Sequence, residues 1–155
     1  MAQATETRRE LERYLHEHIP LSRAMAVTVV AATPQEVCLA APLGPNINHR
    51  DTVFGGSAAA LAMLAAWSLL HVRLRAEGRA ARLVIQRNTM EYERPIPGDF
   101  TARATLAEPD RWAQFSATLA RRGKARIAVT AVLEHAGQAA GRLHGEFVAL
   151  RGADG

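Results

Sequence analysis

The sequence predicts an α+β fold in which a curved antiparallel sheet wraps one long buried helix. Three observations predict it. The run from Ser57 to Val72 has no charged residue and is built largely of Ala, Leu and Met, all strong helix formers. A helix apolar on nearly every face belongs in an interior. After it the pattern changes to apolar–polar alternation over residues 81–94, 100–107 and 125–133, the period of half-buried strands. Such strands carry one apolar face that needs a cover, and a helix over 57–77 is the only element apolar enough to supply it.

The elements follow in order. Leu11, Tyr14, Leu15 and His18 fall at i, i+3, i+4 and i+7, so a first helix is expected within residues 5–19. Thr7 and Glu10 fit a capping box, and Pro20 stops the helix. His16 and His18 flank Glu17 on its solvated face. Met25–Ala32 and Glu36–Ala41 read as a hairpin around Thr33-Pro34-Gln35. Pro42-Leu43-Gly44-Pro45 breaks the pattern and opens a loop to Gly56. Ser57 is the expected N-cap of the long helix, and Gly78 its stop. The strand over 81–94 ends at Pro95-Ile96-Pro97-Gly98-Asp99. Pro109-Asp110 turns the next one. Trp112–Arg121 reads as a further strand, with Ala113, Phe115, Ala117 and Leu119 on one face. Arg122-Gly123-Lys124 is a tight turn, residues 136–141 a flexible loop, and 145–150 a short last strand.

The 155 residues fit one domain over 1–155, enough for a substantial core. With 48% hydrophobic and 22% charged residues, the chain is of the folded globular class. The N-terminal stretch has charges but no apolar h-region, so no signal peptide is expected. The uncharged run is shorter than the about 20 residues of a membrane span. A cytoplasmic protein without membrane association is therefore expected. The single cysteine, Cys38, excludes an internal disulfide and reads as a buried strand thiol. The net charge of +4 is mild and lacks the aromatic–basic interleaving of nucleic-acid binders; an anionic small ligand suits it equally. No Walker loop, dinucleotide fingerprint or Cys/His metal spacing occurs, so neither metal nor bound cofactor is expected.

The candidate site is the stretch Asn46–Ser57. Gly55-Gly56 lets a backbone approach closely or adopt positive φ. The free N–H groups and positive dipole end of the helix can then hold a phosphate, a carboxylate or a polarised carbonyl. Asn48 either orients water or a carbonyl there, or satisfies the loop backbone as a turn residue. His49 is a candidate general base; Asp51 can orient it or pair with Arg50. Ser57 reads as a cap rather than a nucleophile, and no Gly-x-Ser-x-Gly elbow is present. Ser68 and His71, three apart on the helix, read as core-edge residues. Gln86 and Asn88 share a strand face with Val84, Met90 and Tyr92, where two amides either line a site or meet across a twofold. Arg121, Arg122, Lys124 and Arg126 sit on a hairpin tip, suited to phosphates or simply to solubility.

Asn48-His-Arg-Asp-Thr-Val-Phe-Gly-Gly56, at the mouth of a long helix, resembles the Asn…Phe-Gly-Gly motif of the hotdog acyl-CoA hydrolases. Arg94-Pro-Ile-Pro-Gly-Asp99 resembles the family's Arg-Pro…Gly-Asp turn. Over most of residues 10–150 the chain is similar to the thioesterase domain at the C-terminus of YiiD-type acetyltransferases. The resemblance implies a hotdog fold and hydrolysis of an acyl-CoA or acyl-carrier thioester, with coenzyme A present only as part of the substrate. It implies a homodimer or dimer of dimers, in which the strand over 81–94 pairs with its twofold copy. The acyl chain and pantetheine then lie along the interface, with the thioester carbonyl at the helix N-terminus. Asn48, His49, Asp51, Gly55 and Gly56 become the expected catalytic set. Phe54, Ser57, Met63, Gln86, Asn88 and Arg122 become the substrate contacts. One departure stands out. Related hydrolases carry Asp or Glu seven residues after the second Gly; this chain has Met63. A non-catalytic acyl-thioester binding module is therefore the alternative. A hotdog hydratase or dehydratase ranks last, because the His-x-x-x-Pro-Gly entry is missing.

Overall fold

A computed structural model of the chain describes residues 2–152. Residue 1 and residues 153–155, the ends of the expected domain span, lie outside the described residues. The helices are α1 (Ala2–His18), α2 (Pro20–Ala24), α3 (Gly55–Ala76) and α4 (Trp112–Arg122). The strands are β1 (Thr28–Ala32), β2 (Val37–Ala41), β3 (Ala81–Tyr92), β4 (Phe100–Leu106), β5 (Lys124–His135) and β6 (Gln138–Arg151). All six strands form one antiparallel sheet in the order β1-β2-β4-β5-β6-β3. The sheet curls around α3, which touches β2, β4, β5, β6 and β3. This is the hotdog arrangement that the motif implies.

The core explains why α3 is helical and central. Leu61, Leu69 and Leu70 are fully buried, with Ala62, Ala65 and Ala66 between them. Each large side chain so buried contributes about 1.5–3 kcal/mol; the alanines let the sheet come close. By length and composition alone α3 could cross a membrane, but here the sheet covers it as a core helix. Gly78 ends it at φ 67°, and the Arg79 N–H returns to the Leu74 carbonyl at 2.9 Å. Just beyond, the Glu77 carboxylate accepts from the Trp112 indole and the Ser116 hydroxyl, both at 2.6 Å. The Arg73 guanidinium lies 4.3 Å from the centre of the Trp112 ring. This polar clasp pins α4 to the end of α3.

Four local expectations are corrected. Trp112–Arg121 is not a strand but most of α4. Trp112, Phe115 and Leu119 recur at helical spacing and are its buried apolar residues, while Ala113 and Ala117 are exposed. The basic cluster therefore spans a helix C-terminus, closed by Gly123 at φ 74°, and not a hairpin tip. Residues 136–141 are not a loop: the turn is only Ala136-Gly137, both at positive φ, and β6 runs unbroken from Gln138. Thr7 lies inside α1 and its hydroxyl donates to the Gln3 carbonyl at 2.9 Å, so no capping box forms with Glu10. Pro20, expected as a helix stop, also opens the short α2, a position where its missing N–H costs nothing.

On the half-exposed face of α3, Trp67 stacks on His71 with ring centres 4.8 Å apart, and Tyr14 of α1 lies 4.8 Å from His71. Burial, with Arg75 one turn away, pushes the His71 imidazole down to about 4 from 6.5. The unfolded chain therefore takes up this proton first as pH falls. Stability is full above about pH 6.5, declines toward pH 4 and levels off below that. The melting temperature should fall over that window, and the fall should be smaller in His71→Gln. An equal fall in both proteins would assign the effect elsewhere.

Candidate functional site

The loop before α3 is built by two asparagines. Asn46 is buried, and its side-chain amide donates to the Met25 carbonyl at 3.0 Å and the Pro42 carbonyl at 2.8 Å. Its own carbonyl accepts the Phe54 N–H at 2.7 Å. One residue thus ties the end of α2, the exit of β2 and the N-cap of α3. Asn46 was read only as the start of the candidate stretch; its part in tying three segments together is a matter of the fold. Asn48 shapes the tip. Its Oδ1 accepts from the Arg50 N–H at 2.8 Å and the Thr52 N–H at 3.2 Å, and its Nδ2 donates to the Thr52 hydroxyl at 3.0 Å. Of the two readings of Asn48, the geometry matches the turn residue.

Asp51 sits at φ 61°, in the left-handed region that Asp tolerates better than most residues. His49, Arg50 and Asp51 form the exposed tip of the loop. The Val53 N–H, bonded to the Ile96 carbonyl at 2.8 Å, then fastens the loop to the Pro95–Pro97 turn.

α3 begins at Gly55, with Phe54 as N-cap and no side-chain cap. Ser57 is therefore the third helical residue and not the cap, a correction to the sequence reading. The first helical hydrogen bond runs from the Ala58 N–H to the Phe54 carbonyl at 3.0 Å. The N–H groups of Gly55, Gly56 and Ser57 precede it and have no helical acceptor. They present the positive end of the helix dipole. The two glycines differ in what they allow. The Phe54 ring, 56% exposed, lies where a Gly56 Cβ would be, so any side chain at 56 displaces it. A Gly55 Cβ would meet only the Tyr92 ring, at 3.5 Å, an ordinary contact. The Tyr92 hydroxyl donates to the Gly55 carbonyl at 3.1 Å, which binds the end of β3 to the start of α3. A cavity of about 340 Å³ opens beside this turn, lined among others by Val53, Gly55, Ala58, Tyr92, Ile96 and Leu133.

The other candidates are dispersed. Met63 packs partly buried against the core, two turns into α3. Gln86 occupies a bulge: pairing shifts from Ile85–Phe147 to Arg87–Glu146. The extra residue moves Asn88, opposite buried Gly145, onto the face of Ile85, whereas Val84 points the other way. The expected common face of Val84, Gln86 and Asn88 is thus corrected. Arg122 lies beyond the far end of β3, near Lys124 and Leu150. Since β3 spans about 35 Å between Ala81 and Tyr92 at roughly 3.3 Å per residue, Arg122 cannot reach Gly55 within one protomer.

Comparison with known proteins places this geometry. The family model "Putative thioesterase (yiiD_Cterm)" matches residues 8–151. The structure of a Chlorobaculum tepidum protein of unknown function is 26% identical, with a TM-score of 0.88 over 96% of this chain and 97% of that one. A "putative thioesterase" from Shewanella oneidensis is 22% identical, with a TM-score of 0.84 over 94% and 99% of the two chains. A Pseudomonas aeruginosa protein called a "Probable Thioesterase" is 22% identical, with a TM-score of 0.75 over 92% and 95%. At these identities the last two likenesses establish the shared fold.

Proposed function

Because the chain belongs to the thioesterase family of the YiiD C-terminal domain, we propose that it hydrolyses an acyl-CoA or acyl-carrier thioester at the N-terminus of α3. The observation that carries this reading is the uncapped first turn of α3, with Gly55, Gly56 and Ser57 N–H groups opening beside a cavity. In the proposed reaction the thioester carbonyl oxygen accepts from the Gly55 and Gly56 N–H groups. Water adds to the carbonyl carbon, and its negative charge develops on that oxygen, where preorganised donors act most strongly. The C–S bond then breaks. The acyl group leaves as a carboxylic acid, and the thiolate takes up the proton that the water lost. The Phe54 ring lies against Gly56, beside the attack site. With Met63 in place of a carboxylate, the water's proton goes to His49 or Asp51, the titratable groups of the loop tip. Asn48 holds that tip in shape.

The working unit in this reading is a cytoplasmic homodimer. β3 is an edge strand with Val84 and Ile85 48% and 37% exposed, a hazard if left open. Antiparallel pairing of two β3 strands closes it isologously. It also brings the Ala81 end of one copy, with its Arg122, alongside the Tyr92 end of the other, where a coenzyme A phosphate needs a cation. Sedimentation at micromolar concentration should show a dimer; a monomer alone would remove both the pairing and the role of Arg122.

The deciding experiment is release of free thiol from a panel of acyl-CoA and acyl-carrier thioesters. Turnover above the uncatalysed rate is the expected result. The absence of any carboxylate along α3 from Ser57 to Val72 favours a second reading, a non-catalytic acyl-thioester binding module. Measurable acyl-CoA binding with no turnover on any substrate would establish that reading instead.

A further inference from the structure

We propose that the cavity beside Gly55 receives the acyl group within a single protomer and restricts the substrate to short, uncharged acyl chains; this rests on the thioesterase reading. The volume is about 340 Å³, at the low end of the roughly 300–1,000 Å³ of small-molecule sites. Its buried lining is wholly apolar: Val53, Ala58, Ile96, Leu133 and Ala140, none more than 7% exposed. A hydroxyl or carboxylate on the acyl tail would lose its hydration there and find no partner. The charged residues at the rim are already engaged. Glu93 pairs with Arg142 at 2.9 Å, and Arg94 donates to Gln138 at 2.7 Å.

Gly55 connects this cavity to the chemistry, since it both lines the cavity and supplies the first free N–H of α3. A carbonyl held at that N–H has its acyl substituent at the cavity mouth. Tyr92 forms one wall. It is 59% exposed, its ring lies against Gly55, and its hydroxyl bonds the Gly55 carbonyl. The position of this ring sets how long an acyl chain fits. All of these lining residues belong to one chain.

The test compares kcat/KM for acetyl-, butyryl-, hexanoyl- and decanoyl-CoA in the wild type, Tyr92→Ala, Tyr92→Phe and Ala140→Leu. The wild type should favour butyryl- or hexanoyl-CoA over decanoyl-CoA by about tenfold or more, the discrimination a filled apolar pocket supplies. Tyr92→Ala should raise the decanoyl-to-butyryl ratio by about tenfold, because one wall is removed. Tyr92→Phe should keep the wild-type ratio, and Ala140→Leu should shift preference to acetyl-CoA. Equal use of decanoyl- and butyryl-CoA by the wild type, or a ratio unmoved in Tyr92→Ala, would overturn the proposal. Tyr92 is exposed, so its variants remain informative if Ala140→Leu does not fold. If no protein turns over any thioester, the same ratios are read as dissociation constants by calorimetry with the same four acyl-CoAs. Retained length selection without hydrolysis would overturn the thioesterase reading and leave the cavity assignment standing.

Discussion

Leu69→Asp should abolish the folded state. Leu69 is fully buried at the centre of α3, the element on which five strands converge. Truncating such a leucine costs about 2–5 kcal/mol before any charge is considered. A buried carboxylate without a partner adds several kcal/mol more, whether it stays ionised or takes up a proton. The sum is comparable to the roughly 5–15 kcal/mol that holds a domain together. Trp67→Asp, two residues earlier, should be milder. Trp67 lies on the half-exposed face, with its indole N–H donating to the Leu83 carbonyl at 3.3 Å. There an aspartate reaches solvent, and the loss is chiefly the stack on His71 and Tyr14. Far-UV circular dichroism and thermal melting separate the two. A cooperative, near-native melt for Leu69→Asp would mean that α3 is not the core helix.

How legible the fold was depended on pattern length. The uncharged run of α3 and the alternation of β4 and β5 extend over enough residues to admit one period, and both were readable. The Trp112–Arg122 segment was not, because its alanines make Phe115 and Leu119 fit period 2 while Trp112, Phe115 and Leu119 fit period 3.6. Packing against the Glu77 clasp decides for the helix. Residues 139–141 look like a loop because Ala and Gly are small. In the sheet Gly141 is required instead: a Cβ there would come within 2.9 Å of the Glu91 carbonyl of β3. The bulge at Gln86 leaves no trace in composition, yet it reverses which residues face α3 downstream. At the site, Gly55, Gly56 and Phe54 were legible from the motif. The roles of Asn46 and Tyr92 were not, since each includes a hydrogen bond to a segment 20 or more residues away. Asn48 was legible as a residue but not as a role; only the four bonds of its amide show that it holds the loop.

Gly55→Pro should leave the fold intact and remove most of the activity. Proline is tolerated in the first helical turn, where its missing N–H has no acceptor and its φ suits a helix. It requires an extended residue before it, and Phe54 already sits at φ −58°, ψ 132°. A Cβ at position 55 meets only the Tyr92 ring, at 3.5 Å. The substitution therefore deletes one backbone donor and little else. If the thioester oxyanion forms at this N–H, losing it costs about 10²–10³ in kcat, the usual price of one such donor. Gly55→Ala is the control: it adds the same Cβ but keeps the N–H, so kcat should stay within a few-fold of wild type. Gly56 offers no equivalent experiment, because any side chain there displaces the Phe54 ring. Turnover of Gly55→Pro equal to that of Gly55→Ala, in proteins that melt alike, would move the oxyanion away from Gly55 and onto the remaining first-turn amides.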